Sequence, residues 1–137
     1  FARIMLRQAG PNLLARGPIG AMARATMKRA VEWNMLTVRI MLRAGKDRDL
    51  VGSASVDYLM YSGYVMMGYF LALQAEKAQT LLLSGKGSEP ADFYRAKIQT
   101  AAFYFERILP RADAHRTSAL APTHSLMEMD NGNFAFA

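Results

Sequence analysis

The sequence predicts an all-α fold, a helical bundle with one long, mostly buried central helix. Three observations carry this expectation. Glycine and proline fall mostly between stretches of helical periodicity, where they punctuate helices instead of interrupting them. The segment Tyr58 to Ala75 contains 18 residues without a single charge, so it must be surrounded on several sides. The flanking segments are amphipathic at 100° per residue, as helices packed around such a centre should be.

The 137 residues, 52% hydrophobic and 20% charged, suffice for one globular core and are far from a disordered composition. Ten methionines, seven phenylalanines and six tyrosines supply that core with plastic and aromatic material. Cysteine is absent, which excludes a disulfide framework, a thiolate nucleophile and a zinc–thiolate site, and is compatible with a reducing compartment. The net charge of +6 is concentrated early: residues 1–48 hold ten basic and two acidic side chains, residues 49–137 seven and nine. A basic N-terminal third suits nucleic acid, anionic lipid or an acidic neighbouring domain. The chain opens on Phe1, already in helical pattern, and is expected to be a piece of a longer polypeptide. A transit peptide is the rival explanation, and the lack of serine before Ser53 argues against it.

Taken in order, Phe1 to Ala9 reads as a helix end with Arg3 and Arg7 at i,i+4, closed by Gly10-Pro11. After the Arg16-Gly17-Pro18 break, a helix is expected from about Ile19 to Ala44, with Gly45 as its stop. Arg24, Lys28, Glu32, Arg39 and Arg43 share one of its faces, while Met27, Ala30, Val38 and Met41 share the apolar one. Trp33 lies at the edge of that face as a core or domain-contact aromatic.

Asp47, Asp49 or Ser53 can cap the next helix, with Asp57 near its positive end. This helix is expected to run to about Leu83 and to stop at Ser84-Gly85. Val56, Leu59, Met60, Met67, Leu71 and Ala78 form one face, and Tyr58, Tyr61, Val65, Met66 and Leu73 the opposite side. Eighteen uncharged residues also reach the lower limit for spanning a bilayer. Tyrosines scattered through the middle, the lack of a second span and amphipathic neighbours favour protein surroundings. Gly63 and Gly68 are positions where another helix can approach closely, so Gly63→Leu is expected to overpack at about 1–3 kcal/mol. Their spacing of five is not that of a GxxxG dimer motif.

Lys86-Gly87-Ser88-Glu89-Pro90 is a turn into the following helix, with Ser88 or Glu89 near the cap. From Asp92 onward, Tyr94, Ile98, Ala101, Ala102, Phe105, Ile108 and Leu109 share one face, with Asp92, Gln99, Arg107 and Phe103 opposite. A phenylalanine on the polar side implies a second contact surface. Pro110 should kink or end the helix before Arg111 to Ser118 continue it. Thr123 to Met129 can form a short helix, broken at Asp130-Asn131-Gly132-Asn133, and Phe134-Ala135-Phe136 is expected to dock or fray.

No catalytic, cofactor-binding or metal-ligating residue is singled out. The Gly-Lys-Gly-Ser string at residues 85–88 lacks the earlier glycine of a phosphate loop, since Thr80 stands there, and it follows a helix where a strand is needed. Paired Glu-x-x-His motifs are missing, because Glu76 precedes Gln79 and Glu106 precedes Leu109. His115 and His124 lie nine apart across a helix end, without ligand logic, and read as surface histidines. Gly-x-Ser-x-Gly, dinucleotide and H-E-x-x-H motifs are also missing.

Two stretches carry a resemblance. Ala54 to Val65, Ala-Ser-Val-Asp-Tyr-Leu-Met-Tyr-Ser-Gly-Tyr-Val, resembles the long helix of the extra C-terminal domain in one branch of the acyl-CoA dehydrogenases. Phe93 to Pro110 resembles that domain's second signature, Lys97-x-x-Thr100-Ala101 running into Phe103-Tyr104 and Leu109-Pro110, and Ser125-Leu126-Met127 with Phe134 resembles its end. Ala102 departs from the pattern, where a basic residue is expected. The resemblance implies that residues 1–45 are the end of the dehydrogenase helical domain and its connection, and that residues 46–137 are the extra helical domain. It further implies an accessory part of an FAD-dependent enzyme of fatty acid metabolism that oxidises an acyl-CoA to the 2,3-enoyl-CoA. In such enzymes a glutamate removes the alpha proton, flavin N5 takes the beta hydride and an electron-transfer flavoprotein receives the electrons. None of Glu32, Glu76, Glu89, Glu106 or Glu128 matches the setting of that base. The expected partners are therefore upstream dehydrogenase domains and a homodimer mate, the expected location is cytoplasmic, and neither nucleic acid nor a membrane span is expected. FAD should bind outside this segment, which alone should be inactive. The alternative is a standalone helical module that uses the basic N-terminal face on nucleic acid or anionic membrane.

Overall fold

Five helices of seven residues or more follow one another in a computed structural model that describes residues 2–134. Helix α1 (Ala2–Ala9) ends in a 3₁₀ turn at Gly10–Asn12, and α2 (Gly17–Ala44) starts with Pro18 in its first turn, where the missing N–H costs nothing. Helix α3 (Asp49–Ser84) is 36 residues long, a rod of about 54 Å. Its cap position is Arg48, without a side-chain cap, so none of Asp47, Asp49 and Ser53 caps it; the Asp47 carboxylate accepts the Asp49 backbone N–H at 3.1 Å just ahead of the first turn. Gly85 ends it in the left-handed region at φ +65°, its N–H bonded to the Leu81 carbonyl at 3.1 Å, a conformation that a Cβ would strain. Then come α4 (Ala91–Phe103), α5 (Ala112–Ser118) and the short α6 (His124–Met127). No strand occurs among the described residues. The expected docking of Phe134-Ala135-Phe136 lies largely outside them.

Between α4 and α5 the backbone widens and then tightens: a π turn at Tyr104–Ile108 precedes a 3₁₀ turn at Leu109–Arg111. Pro110 has no N–H, and its ring would press on the carbonyl four residues back. The wide turn opens the ladder ahead of that clash, with the Leu109 N–H reaching the Tyr104 carbonyl.

Helix α3 lies at the centre, packed on α2, α4 and α5. Along its first two-thirds, Ala54, Tyr61, Val65 and Tyr69 join Met5, Ala30, Leu36, Ala112 and Ala119 in one buried cluster. Toward its C-terminal end, Ala75 joins Ile19, Met22 and Ala101 in a second. Tyr94 and Ala101 are buried as the periodicity of α4 predicts, Leu109 is buried beyond the wide turn, and Phe103 is exposed.

Four expectations need correction. In α2, Val38 and Met41 are exposed; the buried face runs through Met22, Thr26, Arg29, Ala30 and Leu36, about one residue step round the helix. Polar Thr26 and Arg29 hid that face from a hydrophobicity pattern. In α3, the Val56, Leu59, Met60, Met67 face is open, and burial belongs to the side of Tyr61, Ser62, Val65, Gly68 and Tyr69. Gly63 meets no close neighbour: a Cβ there would find nothing within 4 Å, so overpacking on Gly63→Leu is withdrawn. At Gly68 the close approach is present, with Leu109 Cδ1 3.5 Å and Tyr104 Cε1 3.6 Å from where a Cβ would stand. Finally, Asp57 lies two turns inside α3 and faces His115 instead of the helix terminus.

Candidate functional site

Two features of the surface and one beneath it are candidates for function. Beneath lies a charge cluster built by α2 and α5. Arg29, seven residues beyond Met22 of the second core cluster, would leave a cation in apolar surroundings if unpaired. Its guanidinium instead donates to both Asp113 oxygens, Nη1 to Oδ1 at 2.6 Å and Nη2 to Oδ2 at 2.9 Å, and to Glu32 Oε2 at 2.8 Å. Hydrogen bonding to Asp113 raises the Arg29 pKa further above its ordinary range against the cost of burial. The same hydrogen bonds hold the Asp113 carboxyl below its usual value. The fully buried Tyr61 points its hydroxyl toward Glu32 at 3.4 Å, and burial followed by the Glu32 charge pushes its pKa up to about 12.

A second pair joins α5 to α3. His115 Nδ1 lies 2.8 Å from Asp57 Oδ1, and its ring stacks on Tyr64 at 5.7 Å. His115 is therefore a half-buried contact and not the surface histidine its spacing suggested, whereas His124 is exposed. Nearby, the Tyr104 hydroxyl donates to the Tyr64 carbonyl at 2.9 Å, and burial pushes its pKa up to about 12. The Arg29–Asp113 and His115–Asp57 pairs dock α5, and Glu32 also lines a cavity of about 240 Å³ with Met35, Leu36, Arg39, Arg116 and Leu120. Neither pairing was legible in advance, because the partners are 84 and 58 residues apart in sequence.

On the surface, a groove of about 450 Å³ runs between the C-terminal half of α2 and the N-terminal half of α3. Ile40, Met41, Val51, Ala54 and Leu59 give it apolar walls. Its hydroxyls are committed internally. Trp33 Nε1 donates to the Tyr58 hydroxyl at 3.1 Å, Tyr58 and Thr37 Oγ1 are 2.8 Å apart, and Thr37 Oγ1 returns to the Trp33 carbonyl at 2.9 Å. This closes a ring of hydrogen bonds in which Thr37 donates to the carbonyl and Tyr58 donates to Thr37. Ser55 and Ser62 donate to the carbonyls of Gly52 and Tyr58, each at 2.7 Å. With its hydroxyls so spent, the groove offers shape and apolar contact and little directional polar recognition.

The groove continues into the open face of α3, where Val56, Leu59, Met60, Met67 and Phe70 are exposed around Gly63. Such a continuous apolar area marks an interaction surface more than a catalytic one. A flavin does not fit the residues here: it needs donors for its ring edge and pyrophosphate, and the groove has none free. Among the described residues no cluster of three or more His, Cys, Asp or Glu could hold a metal, and no helix is long and apolar enough to cross a membrane.

Comparison with known proteins agrees with the resemblance carried by the two signature stretches. Residues 3–130 match the family described as acetyl-CoA dehydrogenase C-terminal like. The broad-specificity linear acyl-CoA dehydrogenase FadE5 of Mycobacterium tuberculosis (strain ATCC 25618 / H37Rv) is 31% identical over 84 residues. That alignment takes in 61% of this chain and 14% of the relative, so the chain matches only a small part of that enzyme's length. No solved structure matches. With its all-α bundle, its central apolar helix and a family match spanning nearly its whole length, this chain belongs to the acetyl-CoA dehydrogenase C-terminal-like family.

Proposed function

We propose that this chain is the accessory C-terminal portion of an FAD-dependent acyl-CoA dehydrogenase. In this reading the whole enzyme oxidises an acyl-CoA thioester to the 2,3-enoyl-CoA and passes electrons to an electron-transfer flavoprotein. The flavin, the catalytic glutamate and most of the acyl-CoA pocket lie in domains outside residues 1–137, and the bundle packs on that body and on a dimer mate in the cytoplasm. The division at residue 45 belongs to this proposal, with residues 1–45 closing the dehydrogenase helical domain and 46–137 forming the extra one. The two parts form one body, since α1 and α2 pack against each other and α2 packs on α3.

The observation that carries the reading is the open apolar face of α3, joined to a family match. An apolar surface with committed hydroxyls suits a domain that contributes contact area and no chemistry. Glu32 and Glu76 are bound to Arg29 and Gln8, while Glu89, Glu106 and Glu128 are exposed, so each glutamate is either paired within the bundle or open to water. Basic-face binding to nucleic acid or anionic membrane draws less support. Arg29 is buried against Asp113, Arg24 donates to the Leu13 and Ala15 carbonyls, and Arg43 donates to the Leu120 carbonyl.

The test is flavin content. The 137-residue chain should bind no FAD, while the same chain joined to its upstream dehydrogenase domains should purify yellow and bleach when acyl-CoA is added. A colourless extended protein, inert toward acyl-CoA and a dye acceptor, would remove the proposal. Retention of the short chain on DNA or acidic vesicles with a steep salt dependence would support the module reading instead.

A further inference from the structure

Away from the open face of α3, the middle of α2 and the end of α5 face each other over the cavity of about 240 Å³. Glu32, Met35, Leu36 and Arg39 stand at i, i+3, i+4 and i+7 and so share one face of α2, while Arg116 and Leu120 close the other side. Arg43, one turn beyond Arg39, donates to the Leu120 carbonyl at 3.0 Å and holds that wall in place. The lining is thus half apolar and half charged.

The charges do not cancel. Glu32 is already occupied: its Oε2 accepts from Arg29 at 2.8 Å and lies 3.4 Å from the Tyr61 hydroxyl, and its Oε1 is 3.8 Å from Lys28 Nζ. Both oxygens of Asp113 are taken by Arg29. Arg116 comes no nearer to Asp113 than 3.7 Å, through an Nε that is buried and has no hydrogen-bond partner. Arg39 is exposed and forms neither an ion pair nor a hydrogen bond among the described residues. Lys28, Arg29, Arg39 and Arg116 therefore answer to two carboxylates, Glu32 and Asp113, which leaves a surplus of two positive charges beside one cavity. An N–H buried without a partner costs free energy, and like charges around a shared space add to that cost. An oxyanion placed between the two arginines removes both.

We propose that this cavity binds a small organic carboxylate, its oxygens held by Arg39 and Arg116 and its short apolar stem laid against Met35, Leu36 and Leu120. The planar guanidinium fork matches a carboxylate in shape as well as charge. At about 30 Å³ for each water-sized group, the cavity holds about eight non-hydrogen atoms, the size of hexanoate. A neutral apolar molecule would leave the guanidiniums unanswered, and a bare inorganic anion would leave the three apolar walls uncovered. The inference goes beyond the flavoenzyme reading and does not rest on it.

The test uses the 137-residue chain at low salt, where screening is weakest. Calorimetry with sodium hexanoate should give one site of about millimolar affinity or better, and the Met35 methyl resonance should move as the site fills. Acetate should bind about tenfold more weakly for want of a stem, and neither hexanol nor inorganic phosphate should move that resonance. Arg39→Gln, at an exposed position, should keep the melting temperature and weaken hexanoate at least about tenfold, with Arg39→Lys in between. Arg95→Gln, on α4 and already paired with Asp92, should bind as the native chain does. Hexanoate that binds no tighter than acetate overturns the proposal. So does binding that survives Arg39→Gln, or hexanol moving the Met35 resonance as hexanoate does. Each of these outcomes leaves the flavin test of the proposed function unaffected.

Discussion

Arg29 and Asp113 meet through two parallel hydrogen bonds, at 2.6 and 2.9 Å, across 84 residues of sequence. The arginine side chain is 8% exposed and the aspartate 47% exposed, so the pair sits at the lip of the core. Removing the aspartate would leave a cation that water reaches poorly. Asp113→Asn should therefore destabilise the chain by about 2 kcal/mol, below the range for a fully buried pair because solvent attenuates it. Urea denaturation measures this, and an unchanged midpoint would show that Glu32 alone satisfies Arg29.

Acid should find the same pair. The Asp113 carboxyl is held below its ordinary value of 3.8 by hydrogen bonding to Arg29. Between the lowered folded value and 3.8 the unfolded chain binds the extra proton, so stability rises with pH through that window. The contribution is present in full above 3.8 and is lost as pH falls through the folded value. Denaturation midpoints measured from pH 5 downward should drop more steeply in the native chain than in Asp113→Asn.

At the alkaline end the sign reverses. Burial lifts the Tyr61 and Tyr104 hydroxyls to about 12, while in the unfolded chain they ionise near 10. The unfolded state releases its protons first, so the contribution is whole below 10 and fades as pH rises toward 12. Ultraviolet titration should show Tyr61 and Tyr104 ionising late, and Tyr61→Phe should remove one late step.

The two glycines of α3 separate free space from filled space. Gly68→Leu should cost about 1–3 kcal/mol by driving a side chain into Leu109 and Tyr104. Gly63→Ala, where a Cβ meets nothing within 4 Å, should gain about 0.5–1 kcal/mol from backbone entropy alone. Thermal melts of both variants, read side by side, check the contrast.

Trp33 is the sole tryptophan, and its indole is tied to the Tyr58 hydroxyl in the groove wall. Tyr58→Phe opens the hydrogen-bonded ring and should cost about 1 kcal/mol. The emission of Trp33 should shift with it, whereas Tyr104→Phe, remote from the ring, should leave the spectrum in place.

Helix ends were legible because Gly-Pro breaks and Gly85 state their own chemistry in sequence. So was the buried face of α4, whose Tyr94 and Ala101 follow one period without polar interruption. The face of α2 was misread because Arg29 looks like solvent in a sequence; its reason for burial, Asp113, comes from a helix 84 residues away. The uniform apolarity of α3 hid which side the chain covers, for a pattern without polar residues has no phase. What set the phase was the three helices that pack on it, and Gly63 and Gly68, identical in sequence, were assigned opposite environments by them. The interaction surface was foreshadowed as an excess of apolar sides, and its location required the fold.

The wide turn at Tyr104–Ile108 acts as a phase shifter between two otherwise ordinary helical rungs. It takes up one residue more than a regular turn, so the same residues wound at α spacing would swing everything downstream by roughly 100°. Asp113 and His115, anchored to two different helices, would leave Arg29 and Asp57 in the same stroke. The segment's winding is thus held from both ends, so insertions are tolerated in the loop at residues 85–90 or after Ser118 far better than between Ala91 and Ser118.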